Sequence, residues 1–448
     1  MVDLPGVPPS EDEKLQQLLR KYLEAKEDEL SQLVEDEDTV KTIVPVLTAA
    51  RDGTPMYKGA KQIDLSQIPI VAGEFPREEG DQILEFVKEE YGEELPSACL
   101  RRVYIDAFGR DGGDIHNWRH KIPDIEKKLF ADINGYSRHR TISVVRGIEC
   151  SEADISLAEG IQLLHPKEGE TYVKGLKPQS DILRNPILHN SGILEIKTTQ
   201  NKHQKYVSKR SEAQLQLALT TLRLYTSNSI NVVVNHRVPE TYKPSGVVSG
   251  IDRSALLGSG YSVSSEDEER LKNLFALLSE FFNEDQRSFD IPIDVALDHF
   301  ETSVSHQTSD HSSITFGIIG IESLYKHYTK GSKSGSDLRR YASYTLGTAV
   351  RHVDPMTIKE DLEKAYDTRN NVVHGDSLPD SSDKTLQHRV WNLLRYSIII
   401  FAELWNNNGD YFNLPIECAL IDEEERSEFT SRLEHIDLKE YLPVNDSE

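Results

Sequence analysis

The strongest constraint on the fold is a series of helical patterns between about residue 290 and residue 405. Apolar residues recur there every three or four positions, a spacing that places them on one face of a helix. The segments are PIDVALDHFETSVSH, SSITFGIIGIESLYKHY, SDLRRYASYTLGTAV, TIKEDLEKAYDTRNNVV and TLQHRVWNLLRYSIIIFAELW. Turn-forming residues in TKGSKSG and HGDSLPDSSD separate them. We therefore predict an all-α bundle of five helices over residues 285–410.

The preceding residues carry both helical and strand-like patterns. Residues 10–36 read as an amphipathic helix, and a second helix is expected at 81–90. Short strand-like stretches follow between 97 and 175, beginning with ACLRRVYIDAF. The apolar helix SEAQLQLALTTLRLY then precedes the strand INVVVN. These patterns predict an α+β N-terminal region.

The domain prediction follows from these changes of pattern. We place a mainly helical N-terminal segment at 1–95 and an α+β domain of unknown role at 96–264. The helical bundle covers 285–410, after a boundary in the polar segment NEDQRSFD. A C-terminal tail with a short helix is predicted at 411–448.

The charge of the chain limits its possible partners. The 448 residues include 75 acidic and 51 basic side chains, for a formal net charge of −24. The acidic residues are dispersed, which indicates a solvated surface in either an ordinary acidic protein or one from a halophilic, salt-rich cytoplasm. A broad nucleic-acid surface requires a basic face. Any contact with RNA must therefore be local.

Cysteine usage and hydropathy predict a cytoplasmic protein without a membrane partner. The three cysteines are far apart and form no CxxC pair, so neither a disulfide framework nor a zinc knuckle is expected. The N-terminus MVDLPGVPPSEDEK lacks the basic and apolar regions of a signal peptide. The longest apolar run, YSIIIFAEL, is too short to cross a bilayer.

The fourth helical segment contains the residues best suited to catalysis or anion binding. One face of it, at steps of three or four residues, carries Leu362, Ala365, Tyr366, Arg369 and Val373. An arginine on a buried stripe is unusual without a partner or a bound anion. Gly375 is a natural helix stop, so His374 is expected at the helix C-terminus, where the dipole favours imidazolium. Such a histidine can give or take a proton.

The spacing of Arg369 and His374 raises a geometric problem. Five residues on a continuous helix separate two side chains by about 140° around its axis. One helix therefore does not easily aim both at a single phosphate. Either a break at the helix end or a symmetric dimer that unites two copies would solve this.

The run AYDTRNNVVHG, residues 365–375, resembles the signature of HEPN domains. The segments DVALDHFETSV, FGIIGIESLYKHY and LRRYASYTLG are similar in order and spacing to the ApeA-like HEPN family. Glu322, in IESLY, matches the acidic residue usual in that family. The resemblance covers most of 290–405. A weaker one, at 155–235, is to the segment that precedes such domains.

The resemblance implies a helical bundle that dimerises and, in active members, a metal-independent endoribonuclease that needs no cofactor. Its partners would be RNA and a second copy of the chain. His374 would be the acid or base, and Arg369 would hold the scissile phosphate. Asn370 would orient the phosphate or the histidine, and Glu322 would fix Arg369. Many active members serve antiviral defence, abortive infection or toxin-like stress responses.

A non-catalytic reading uses the same residues. Arg369 then pairs with Glu322 to join two helices, and His374 only caps a helix end. Under this alternative the bundle is an interaction or RNA-binding module.

A third reading lies in the preceding region. Glu195 and Lys197 form an ExK triplet on a predicted strand, and Asp181 precedes it, as in PD-(D/E)xK nucleases. Two carboxylates would hold Mg²⁺ and the lysine would steady the attacking water, with Gln214 or Gln216 on the next helix. Against this, ExK triplets are common on the solvated face of alternating strands. Only this third interpretation requires a divalent ion.

Overall fold

The fold is mixed and mostly helical, with a small antiparallel sheet in the middle of the chain and helices toward its C-terminus. The computed structural model describes residues 13–33, 57–58, 61–62, 77–91, 99–100, 103, 107, 118–133, 136–151, 153–165, 191–201, 207–228, 230–239, 249–251, 261–282, 292–305, 308–326, 335–351, 353–374, 384–408, 416–420 and 422–443.

The helices of the described residues run through the whole chain. In chain order they are α1 (Glu13–Leu33), α2 (Arg77–Tyr91), α3 (Ile122–Ile133), α4 (Val207–Thr226), α5 (Glu268–Ser279), α6 (Pro292–Val304), α7 (Asp310–Lys326), α8 (Gly335–Ala349), α9 (Pro355–His374), α10 (Lys384–Asn408), α11 (Ile416–Ala419) and α12 (Glu423–Glu434). Short 3-10 helices lie at Arg119–Lys121, Ser265–Asp267 and Leu438–Glu440.

The strands are concentrated between α3 and α5. They are β1 (Tyr57–Lys58), β2 (Lys61–Gln62), β3 (Tyr136–Arg146), β4 (Ile148–Cys150), β5 (Ile155–Ala158), β6 (Ile161–Leu164), β7 (Ser191–Asn201), β8 (Asn231–Pro239), β9 (Ser249–Ile251) and β10 (Tyr261–Val263). Six of them form one antiparallel sheet in the order β5-β6-β7-β3-β8-β9. In that sheet β3 is paired on both sides, with β7 and with β8.

Two apolar cores stabilise the described residues. The smaller joins α1, α2, α3 and the buried residues between α2 and α3. The larger is continuous from Val145 in the sheet to Leu442 near the C-terminus, and it includes the buried faces of α4 to α10. Burial of this apolar surface supplies the main driving force for folding. The sheet and the C-terminal helices therefore share one core.

Arg395 adds a polar connection between these two parts. Its side chain is fully buried on α10 and donates hydrogen bonds to the carbonyls of Leu224 and Tyr225, at 3.3 and 3.2 Å. Both carbonyls lie in the last turn of α4, where a helix leaves its acceptors without partners of its own. The guanidinium thus donates to carbonyls at the C-terminal end of α4 and places a positive charge at the negative end of the helix dipole.

All five helices predicted between residues 290 and 405 are confirmed, and they are α6 to α10. Their apolar stripes pack together because α7 contacts α6, α9 and α10. The helices predicted at 10–36, 81–90 and 211–225 are confirmed as α1, α2 and α4. Within the strand-like region predicted at 97–175, residues 166–175 lie outside the described residues.

One predicted strand is wrong. In ACLRRVYIDAF the described residues Cys99, Leu100, Val103 and Ala107 are helical. All four are buried, and Cys99, Val103 and Ala107 follow at steps of four, the spacing of a helix face. Packing of that face onto α1 and α2 decides the local structure over the strand propensity of valine and tyrosine.

A 3-10 helix, Ser265–Asp267, directly precedes α5. Ser264 is the N-cap, and it forms a capping box with Asp267. In the part of the chain that is described, no helix is both long and apolar enough to cross a membrane.

Candidate functional site

The candidate site lies at the C-terminal end of α9. This helix runs without interruption from Pro355 to His374, so no break separates Arg369 from His374. Its buried face holds Ile358, Leu362, Ala365 and Tyr366. The burial ends there, because Val373 is 56% exposed although it was predicted on the same face. The last turn of α9 therefore leaves the core and enters solvent.

Arg369 and His374 differ in their surroundings. The Arg369 side chain is half-buried, and its Nη1 donates a hydrogen bond to Asn370 Oδ1 at 3.1 Å. His374 is exposed as the last residue of the helix. The axial separation of the two residues is about 7.5 Å, with about 140° between their directions. Within one chain they point to different sides of α9.

Four side chains from three helices surround the buried end of this site. Glu322 lies on α7, Arg339 on α8, and Tyr366 and Arg369 on α9. Arg339 lies over the Tyr366 ring, with its Cζ 5.1 Å from the ring centroid. We call Arg339, Tyr366 and Arg369 the arginine cluster. The contacts of α7 with α9 and of α8 with α9 bring it together.

The charged side chains around the cluster all affect the pKa of the Tyr366 phenol. Burial is the main cause that raises the pKa of Tyr366, and the charge and hydrogen bonding of Glu322 raise it further. Arg339 and Arg369 act in the opposite direction. Glu322 is itself buried. Glu322 and Arg369 were expected to lie close together, and both act on the same neighbouring side chain, Tyr366.

Arg339 was not predicted as a site residue. A signal was present, because Ala342 and Ser343 follow it by three and four residues, and both are buried. That spacing puts Arg339 beside the buried stripe of α8, as for Arg369 on α9. What the sequence does not contain is the rotation of α8 that turns Arg339 toward Tyr366.

The ExK residues Glu195 and Lys197, proposed for a metal site, lie in the sheet and not in the helical bundle. Glu195 on β7 is 3% exposed, with Oε2 2.8 Å from Lys197 Nζ and Oε1 3.4 Å from Arg140 Nη1. Strand register causes this, since Arg140 on β3 pairs with Lys197 on β7. The carboxylate is therefore already neutralised by two cations.

The other residues of the proposed PD-(D/E)xK site are Asp181, Gln214 and Gln216. Asp181 lies outside the described residues. Gln214 accepts a hydrogen bond from Thr198 Oγ1 at 3.0 Å, and Gln216 donates one to Glu301 Oε2 at 2.5 Å. Across the described ranges, no group of three His, Cys, Asp or Glu side chains is arranged to hold a metal ion.

A cavity of about 580 Å³ lies away from these residues, between α4, β8 and α6. Its wall includes Arg223 and Glu301, with Arg223 Nη1 3.7 Å from Glu301 Oε1. Burial lowers the pKa of the Arg223 guanidinium, and the Glu301 charge opposes that shift. Both Gln216 and Thr220 donate hydrogen bonds to Glu301. Apart from Gln216, no residue predicted for a site lines this cavity.

Comparisons with protein-family models, with curated proteins and with solved structures give no significant match to this chain.

Proposed function

We propose that this protein is a metal-independent endoribonuclease of HEPN type that acts as a homodimer. His374 is the acid or base, and Arg369 with Asn370 binds the scissile phosphate. The observation that carries the proposal is the end of α9, where an exposed histidine follows a half-buried arginine already tied to Asn370. The α+β region before the bundle is the part proposed to present RNA or to regulate cleavage.

The chemistry requires one base, one acid and a charge partner for the phosphate. A base removes the proton of the 2′-hydroxyl, whose oxygen attacks the adjacent phosphorus. The P–O5′ bond breaks, and the leaving oxygen takes a proton from an acid. The products are a 2′,3′-cyclic phosphate and a 5′-hydroxyl. Arg369 suits the charge because its planar fork matches two phosphate oxygens.

A dimer is part of the proposal because of the continuity of α9. With Arg369 and His374 about 140° apart on one helix, a two-fold axis beside the C-terminal end of α9 brings His374 of the partner subunit toward Arg369. The surface of α9 is consistent with such a contact. Val373, a large hydrophobic residue that is 56% exposed, lies in the last turn of this helix beside His374.

Local electrostatics decide how RNA is bound. The net charge of −24 repels a polyanion at long range, so affinity has to come from the few cations at this end of the bundle. Screening by salt weakens the repulsion of the acidic surface. Cleavage is therefore expected to persist or increase as salt rises from low concentration, unlike that of a basic ribonuclease.

The test is RNA cleavage in EDTA with end-group analysis. We expect cyclic phosphate ends from the wild-type protein and a loss of at least about 100-fold in rate for His374→Ala, the usual contribution of an acid or base. His435→Ala is the matched control, because His435 is also an exposed histidine at a helix C-terminus, that of α12. Activity that requires Mg²⁺ and survives His374→Ala would refute the proposal.

A mixing experiment tests the dimer. Arg369→Met and His374→Ala are each inactive alone in this scheme. Random mixed dimers contain one site with both intact residues in half of the molecules, which predicts recovery of about a quarter of wild-type activity. No recovery after subunit exchange would place Arg369 and His374 of one chain in the same site. RNA binding without cleavage would instead favour a non-catalytic module.

A further inference from the structure

We propose that the arginine cluster is a second phosphate subsite, which binds the phosphodiester next to the scissile one. The inference rests on the proposed ribonuclease function, and it adds Arg339 as a binding residue. Arg369 belongs to both subsites, so the two phosphates would be neighbours on one RNA strand. The chemical class of the ligand is a phosphodiester monoanion.

The geometry gathers donors from two helices. Arg339 Cζ lies 5.1 Å from the Tyr366 ring centroid, and Arg369 follows Tyr366 by three residues on α9, nearly one turn later. Gly335, the first residue of α8, closes the same space. A Cβ on Gly335 would lie 3.3 Å from Tyr366 Cε1 and 3.5 Å from Arg339 Nη1. The first turn of α8 therefore begins beside the cluster, with the positive end of its helix dipole there.

Two donors of the cluster lack acceptors. Among the described residues, Arg339 Nε and Arg369 Nε are buried without a hydrogen-bond partner. The Tyr366 phenol, which is only 5% exposed, is instead engaged with Glu322. Buried polar groups normally have partners because an unmade hydrogen bond there is costly. An anion with several acceptor oxygens would satisfy donors that the protein leaves unsatisfied.

The charge balance selects the kind of anion. Two arginines face one carboxylate, since Glu322 acts on the same phenol. The next carboxylate on α8, Asp337, is 3.8 Å from the outward-facing Arg340. The cluster thus carries about one net positive charge, which a phosphodiester monoanion neutralises. Inorganic phosphate carries between one and two negative charges at neutral pH and would leave the cluster with a net negative charge.

The experiment measures binding separately from cleavage. The probe is a fluorescent 2′-O-methyl RNA oligonucleotide, which has phosphodiesters but no attacking hydroxyl. Its affinity is measured by anisotropy over a series of salt concentrations for the wild-type protein, Arg339→Met and Arg340→Met. Arg340 is the matched control because it is the neighbouring arginine on α8 and is exposed.

We expect Arg339→Met to weaken binding about tenfold or more and to reduce the slope of log affinity against log salt by about one. Arg340→Met should retain the wild-type slope. Tyr366→Phe keeps the ring under Arg339 and removes the hydrogen bond with Glu322, which leaves that carboxylate to compete for the arginines, so it should weaken binding by a smaller factor. A purely structural role of Arg339 would not change the salt slope. Wild-type affinity and slope in Arg339→Met would overturn the subsite.

The two proposals fail in different ways. If the oligonucleotide binds through Arg339 but no cleavage sensitive to His374→Ala exists, the subsite stands and the ribonuclease proposal fails. If such cleavage exists while Arg339→Met binds the probe normally, the ribonuclease stands and the subsite fails. Stronger binding of inorganic phosphate than of the oligonucleotide would contradict the charge argument.

Discussion

The packing of α7 against α10 predicts how Gly317→Ala changes the free energy of unfolding, and the sign of that change depends on one neighbouring residue, Val390. Gly317 is buried at this interface, and a Cβ built there would lie 2.6 Å from Val390 Cγ1. Ordinary contacts between carbon atoms are about 3.5–4.0 Å. Gly317→Ala therefore forces the two helices, or the Val390 side chain, apart by about 1 Å.

The magnitude is a difference of two effects. Overpacking a core costs about 1–3 kcal/mol. Replacing a helical glycine by alanine returns about 1 kcal/mol. Gly317→Ala alone should thus lower the free energy of unfolding by about 1 kcal/mol. In a Val390→Ala background the clashing methyl is gone, and the same substitution should stabilise by about 1 kcal/mol.

Urea unfolding of the four proteins of this cycle measures both effects. Trp391, which follows Val390 on α10, reports on the interface by its fluorescence. The slopes of free energy against urea must agree, so that the midpoints reflect stability. Val390→Ala itself should cost roughly 2 kcal/mol because it removes two methyl groups from a fully buried side chain. If Gly317→Ala has the same sign in both backgrounds, the close approach of the two helices is refuted.

Other regions give independent predictions. Arg395→Met should lower the free energy of unfolding by about 3 kcal/mol or more, because two buried carbonyls lose a charged donor; urea unfolding checks it. Glu195→Gln removes the carboxylate charge that contacts Arg140 and Lys197 and should cost about 2 kcal/mol, with or without Mg²⁺; stabilisation of the wild type alone by Mg²⁺ would instead support a metal site. Burial raises the pKa of Cys150 to about 12. Between pH 9 and 12 the thiol of the unfolded chain deprotonates while the native thiol stays protonated, so the contribution of Cys150 to the free energy of unfolding is complete below about pH 9 and is lost over this interval. Iodoacetamide should not modify native Cys150 at pH 8.

Local periodicity was sufficient to predict the helices that carry the candidate site. Leu362, Ala365 and Tyr366 are buried at helical spacing, so the face of α9 could be derived from the sequence. The end of α9 at His374 also followed, because Gly375 comes next. The exposure of Val373 did not follow. Whether a helix keeps touching its neighbours in its last turn depends on where those neighbours end.

The contacts between elements required the structure. Arg339 and Tyr366 are 27 positions apart in the chain, and only the mutual rotation of α8 and α9 brings them together. Glu195 was expected on a strand, which is confirmed. Its burial between Arg140 and Lys197 depends on the register of β3 against β7, a non-local property that residue spacing within one strand does not encode.

The contact of Arg395 with the last turn of α4 has a consequence for how this gene is dissected. A deletion that keeps only the helices α6 to α10 removes the carbonyls of Leu224 and Tyr225 and part of the shared core. The fragment would lose these two acceptors of Arg395 and expose apolar surface that is buried in the intact chain. Loss of phenotype in such a truncation would then report misfolding and degradation, whatever the deleted half contributes. Point substitutions in the full-length chain are the informative alleles.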